Sequence, residues 1–250
     1  MLGCEGRETL SMMETGHRSR TVPRLPNTMN GLHGRTVHPE LGEVPFRLDQ
    51  VSNDPNEQVE ATIRRMLPYT SLSALTPIIR DHLMKAVYLA DGNPFAGSHG
   101  WVKSVLRFRE DEATLGQLDT PDRAGTIEVL IPPMDLAAAV DAGIAPAEDC
   151  DGYAMYVAAL LLAANIPCSF VAVAADPTDP ERFSHVYVAA YPQPNIRIPI
   201  DASHGEYAGW ECPNRFNKRK EWPLNASLNL WPMLFALGLL GGAAYVATRN

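Results

Sequence analysis

Between Asp151 and Asp176 the chain runs for 24 residues without a charged side chain. A single helix of that length and polarity would be long enough to span a bilayer core, which needs about 20 residues. Asn165-Ile166-Pro167 rules out a continuous helix, because a proline removes a backbone donor and pushes the residue before it out of the helical region. The run therefore divides. Tyr153–Ala164 is rich in alanine and leucine and predicts a helix that is apolar on every side, so it must be buried within a domain. Ser169–Ala174 (Ser-Phe-Val-Ala-Val-Ala) predicts a strand buried on both faces, central in a sheet. A core helix, a tight turn and a core strand are the nucleus around which the rest must pack.

Two further strands are expected downstream, Phe183–Ala190 and Ile196–Ile200, with Pro192 and Pro194 in the hairpin between them. Upstream the pattern is helical. Asp54-Pro55-Asn56-Glu57 reads as an N-cap, a proline at the first helical position and an acidic first turn. The helix it opens spans Glu57–Leu67 and stops at Pro68. Thr76-Pro77 starts a second helix that reaches about Ala90. A third lies around Ser98–Glu110, with Trp101 read as core packing rather than as a cover over a cleft. Thr126–Ile131 has β composition, and Asp135–Ala142 predicts a short helix. The order is α+β. Residues 1–52 show no sustained period and read as an irregular arm without a signal peptide, suited to an assembly partner. The domain is expected over 53–212, with a helical part at 53–147 and a core at 148–205. Residues 213–250 are read as a basic linker and an apolar helix.

The net charge of −8 is unevenly placed. Residues 148–212 carry nine acidic and two basic side chains, and residues 213–250 carry one and five. An acidic domain is poorly suited to a phosphate backbone, so no nucleic-acid partner is expected. Four cysteines in 250 residues do not make a disulfide scaffold. No Cys-x-x-Cys pair or glycine-rich phosphate loop is present, and no metal or cofactor is expected.

Three residues bear on chemistry. Cys150 falls where the buried helix begins, and free N–H groups at a helix start favour a thiolate and can hold an oxyanion. His185 lies near the start of one strand and Asp201 at the end of the next, so antiparallel pairing would align them. An aspartate on one imidazole nitrogen sets the tautomer and leaves the other for the sulfur. His204 is read as a satisfied loop histidine rather than as a residue lining the cleft. Cys168 is expected in the core beside Phe170, and Cys212 in a Trp-Glu-Cys-Pro loop, too isolated for a zinc site.

Glu148-Asp-Cys-Asp-Gly-Tyr-Ala, Leu160-Leu-Leu-Ala-Ala-Asn-Ile-Pro167, Ser184-His-Val-Tyr187 and Ile198-Pro-Ile-Asp201 together resemble the transglutaminase-like superfamily. The flavour is that of small members from bacteria and their tailed phages, whose pattern is often Gly-Asp-Cys-Asp-Asp. The resemblance covers about residues 145–205. It implies a papain-like fold, a helix-borne cysteine packed on an antiparallel sheet. It also implies a catalytic triad of Cys150, His185 and Asp201 acting on a peptide or carboxamide through a thioester. Water as acceptor would make the protein a cysteine peptidase or amidase, and an amine would make it a transglutaminase-type acyltransferase. Glu148 and Gly152 depart from the pattern, as does Asn165 where glycine is usual. Asn tolerates the left-handed conformation, so the helix can still be capped there. The family also holds members that serve as non-catalytic scaffolds, and a structural or assembly protein is the alternative reading.

From Trp222 to Thr248 no residue is charged, and Leu230–Ala247 is 18 residues, about 27 Å as a helix. With Arg215, Lys218, Arg219 and Lys220 before it, the stretch predicts a C-terminal membrane anchor on a cytoplasmic domain. The alternative is an apolar helix buried on protein, as in a virion component.

Overall fold

The computed structural model describes residues 32–38, 42–48, 54–110, 127–128, 130–214 and 217–224. The elements in order are β1 (Leu32–His38), β2 (Gly42–Leu48), α1 (Pro55–Ala74), α2 (Pro77–Leu89), α3 (Pro94–Val105), β3 (Arg107–Phe108), β4 (Ile127–Glu128), α4 (Pro133–Asp141), β5 (Ala147–Glu148), α5 (Cys150–Ala163), β6 (Cys168–Val173), β7 (His185–Gln193), β8 (Ile196–Ile200) and β9 (Arg219–Leu224). Helices and an antiparallel sheet share one core, the α+β arrangement.

Helix α5 is the centre. Every residue from Asp151 to Leu162 is buried, with α1, α2 and α3 packed on one side and β7 on the other. Burying a side chain such as Tyr156, Leu160 or Leu161 stabilises the fold by roughly 1.5–3 kcal/mol. The helix ends as expected at Asn165, whose φ of 59° is left-handed. Ile166 N–H donates to Leu161 and Asn165 N–H to Leu162, both at 2.9 Å, a Schellman closure. Strand β6 follows with all six residues buried.

The main sheet runs β8-β7-β6-β9, antiparallel throughout. One face packs on α5. The other carries Val171, Val173, Tyr187 and Ala189, with Cys212 against them. Over this second face Arg197 pairs with Glu211 (2.7 Å) and Glu221 (3.1 Å), and Tyr187 and Tyr191 donate to the same two carboxylates. A second polar chain ties the helices together. Asp141 at the end of α4 accepts from Nε2 of buried His82 at 2.9 Å, which leaves Nδ1 to accept from the Tyr156 hydroxyl at 2.5 Å. Trp101 packs edge-on against His82, centroids 5.0 Å apart, its core role.

Several sequence expectations change. The arm expected to be irregular contains a hairpin: β1 pairs with β2 from Leu32↔Leu48 to His38↔Gly42, and β2 adds β4. Pro45 sits within β2, and prolines there mask strand character in sequence. Helix α1 does not stop at Pro68 but continues to Ala74. Met66 before the proline and Thr70, Ser73 and Ala74 after it are all buried, and that packing offsets a cost of about 3 kcal/mol for an internal proline. Helix α3 begins at Pro94, four residues earlier than expected. Asn93 caps it, accepting from Phe95 and Ala96 N–H at 3.0 and 3.1 Å. Gly97 lets α3 approach α2 closely, since a Cβ there would lie 2.6 Å from the Ala86 carbonyl oxygen.

The basic segment after residue 212 is not a plain linker. Arg219–Leu224 forms β9 beside β6. Lys218, Arg219 and Lys220 pair with Glu181, Glu211 and Glu60, so these cations face the domain's own carboxylates. The apolar stretch 230–247 lies outside the described residues. Among the described residues no helix is long and apolar enough to cross a membrane.

Candidate active site

Asp149 precedes α5 with extended backbone, and its carboxylate accepts from Asp151 N–H at 3.0 Å. The acidic neighbour is thus turned onto the helix end as its cap. Cys150 is the first helical residue, half-buried, at the position where N–H groups point outward.

Glu148 is 3% exposed, its side chain folded under the first turn of α5. A Cβ on Gly152 would meet Glu148 Oε2 at 2.3 Å and Glu148 Cβ at 2.8 Å. A side chain at 152 and the one present at 148 would therefore occupy the same volume, and Gly152 leaves that space to Glu148. Glu148 also helps push the Tyr153 hydroxyl up to about 12, second to burial.

His185 opens β7, opposite Val173 on β6. The loop leading to it is pinned twice. Ser184 Oγ accepts from Ala175 and Asp176 N–H at 3.0 and 2.9 Å. Asn56 on α1 accepts from Phe183 N–H at 2.9 Å and donates to the Glu181 carbonyl at 2.9 Å. Asp201 follows β8 and is 1% exposed. Its Oδ2 accepts from His185 Nε2 at 2.7 Å. Its Oδ1 accepts from Ser203 N–H (3.1 Å), Ser203 Oγ (2.8 Å) and His204 N–H (3.0 Å). Burial alone would push this carboxyl up. The hydrogen bond and charge of His185, with the His204 N–H and the Ser203 hydroxyl, more than reverse that and hold it at about 2. An ionised aspartate only accepts. The His185 proton toward it therefore sits on Nε2, and Nδ1 is the basic nitrogen.

The Asp201 loop is held from behind by α3, through residues that carry no sequence signal for a site. His99 Nε2 and Lys103 Nζ both reach the Gly205 carbonyl, the former at 3.2 Å. Burial is the main cause lowering the His99 pKa, so the ring serves as a neutral donor there. Gly205 is required by close approach, since a Cβ would lie 2.4 Å from the Asp201 carbonyl oxygen.

Cys150 and His185 line one cleft of about 640 Å³, together with Phe108, Asp176, His204 and Cys212. Cys212 lies in a loop, as expected, and that loop borders the cleft. Cys150, Cys168 and Cys212 are reduced thiols. Cys168 is buried, which pushes its thiol pKa well up and makes it inert. His204 lies edge-on to His185, centroids 4.8 Å apart. His185, Asp201 and His204 bring ligand atoms within 4.8 Å of one another. Both Asp201 oxygens are already accepting hydrogen bonds, so this group is organised as a hydrogen-bonded relay.

Compared with known proteins, the chain matches no family model and no curated protein.

Proposed function

We propose that the protein is a thiol acyl-transfer enzyme of the transglutaminase-like, papain-related kind. The observation that carries the reading is the 2.7 Å His185–Asp201 hydrogen bond in a cleft shared with Cys150 at a helix start. In this reading Nδ1 of His185 takes the thiol proton, and Cys150 Sγ attacks a peptide or carboxamide carbonyl. The helix N–H groups hold the oxyanion, and His185 passes the proton to the leaving amine. Asp201 keeps His185 in the reactive tautomer and stabilises its charged form. Water or an amine then releases the acyl group.

The test is alkylation by iodoacetamide followed by peptide mass mapping. Cys150 is expected to react at least about tenfold faster than Cys212, with Cys168 unreactive in the folded protein. His185→Ala is expected to remove the advantage of Cys150. Equal rates at Cys150 and Cys212, or a Cys150 rate indifferent to His185→Ala, would refute the reading.

A further inference from the structure

The mechanism above uses one histidine, yet two line the cleft. Ser203 Oγ lies 2.8 Å from Asp201 Oδ1 and 2.9 Å from His204 Nδ1. Asp201 is ionised and only accepts, so the Ser203 hydroxyl donates to it. The Ser203 oxygen must then accept, and His204 Nδ1 carries the proton it receives. The lone pair of His204 is therefore on Nε2. Through its other oxygen the same carboxylate accepts from His185 Nε2 and leaves the His185 lone pair on Nδ1. One aspartate thus holds two imidazoles as bases, directly in one case and through a serine in the other.

Their surroundings differ. His185 is buried, while His204 is exposed at the cleft. The two rings meet edge-on at 82°. Phe108 lies edge-on to His204, centroids 4.9 Å apart, and limits its swing. A molecule arriving from solvent meets His204 before His185. Partial desolvation, then the charge on His185, hold the His204 pKa below its usual value, consistent with a neutral ring.

We propose that His204 is the base for hydrolysis of the acylated enzyme, accepting on Nε2 the proton of the water that attacks the acylated Cys150. This rests on the thiol acyl-transfer reading. The nucleophile forms a bond to the acyl carbon while its proton passes to His204 Nε2. The Sγ–carbon bond breaks and its electron pair leaves on sulfur as thiolate. The proton on His204 then restores the thiol through solvent, and no oxidant or reductant takes part. His185 drives the first half-reaction and His204 the second.

The experiment uses the full chain with p-nitrophenyl acetate as acyl donor. The nitrophenolate burst reports acylation, and intact mass reports the lifetime of acetyl-Cys150. His204→Phe keeps the ring contacts and removes the lone pair. It is expected to leave the burst rate within about twofold and to lengthen the acetyl-Cys150 lifetime about a hundredfold, the lower end of general-base contributions. His204→Ala is expected to show the same long lifetime, shortened by added imidazole. A purely packing role for His204 predicts a normal lifetime in His204→Phe, and that result overturns the proposal while leaving the parent reading intact. A burst rate that falls as far as deacylation in His204→Phe also overturns it. If the unmutated protein takes no acetyl group on Cys150, or if His185→Ala does not slow acylation, both readings are overturned together.

Discussion

Asp201→Asn tests the site and the fold together. The carboxylate accepts hydrogen bonds at both oxygens, one from His185 Nε2 and three from the Ser203-His204 turn. An asparagine has one oxygen and one NH₂. With its oxygen on the turn side, where three donors converge, its NH₂ faces His185 Nε2. That nitrogen must then carry the lone pair, so the proton moves to Nδ1 and the ring ceases to be a base toward the cleft.

The stability effect follows from the same geometry. The Asp201 carboxyl is lowered from its ordinary value of 3.8 to about 2. At about 1.36 kcal/mol per unit, this contributes on the order of 2.5 kcal/mol at neutral pH. Because the folded value is depressed, the contribution is complete above pH about 4 and disappears as pH falls toward 2. Urea denaturation at pH 7 should show Asp201→Asn less stable by about 2–3 kcal/mol. The deficit should shrink as pH falls from about 4 toward 2, and Cys150 alkylation should slow about a hundredfold. A deficit that is constant between pH 7 and pH 2.5, or alkylation at the original rate, would refute the reasoning.

Gly152→Ala places a Cβ on Glu148 and should cost about 1–3 kcal/mol by overpacking. Adding Glu148→Ala should recover most of that loss, and a double-mutant cycle by thermal unfolding checks it; additive effects would show that the two side chains do not compete for the same space. Asn165→Ala puts an ordinary side chain at φ 59° and should destabilise by about 1 kcal/mol, whereas Asn165→Gly should be neutral or better, measured by the same unfolding assay.

Much of the centre was legible in the amino-acid order. An apolar run with no polar face has one solution, burial, and Asn165-Ile166-Pro167 divides it into helix and strand by local sterics alone. Positions 150, 185 and 201 fall at element ends because each stands beside a composition change. The edges were less legible. Pro68 read as a helix end and Pro45 fell in an arm read as irregular, yet both lie inside elements. At Pro68 the reason is visible: tertiary burial on both sides outweighs the local penalty. β9 was hidden because its charges read as a tail until Glu60, Glu181 and Glu211 supplied partners from distant segments.

The site divides in the same way. That a thiol, an imidazole and a carboxylate stand at a helix start, a strand start and a strand end is a local property of the chain. That Glu148 fills the space over Gly152, that α3 grips the Gly205 carbonyl, and that His204 shares Asp201 with His185 are not. The grip on Gly205 and the His185–Asp201 pairing join residues distant in the chain, and even Glu148 over Gly152, four positions apart, depends on how β5 is turned against α5. Such contacts depend on how whole elements pack, and packing is decided by the summed burial of the core rather than by any residue's neighbours in the chain.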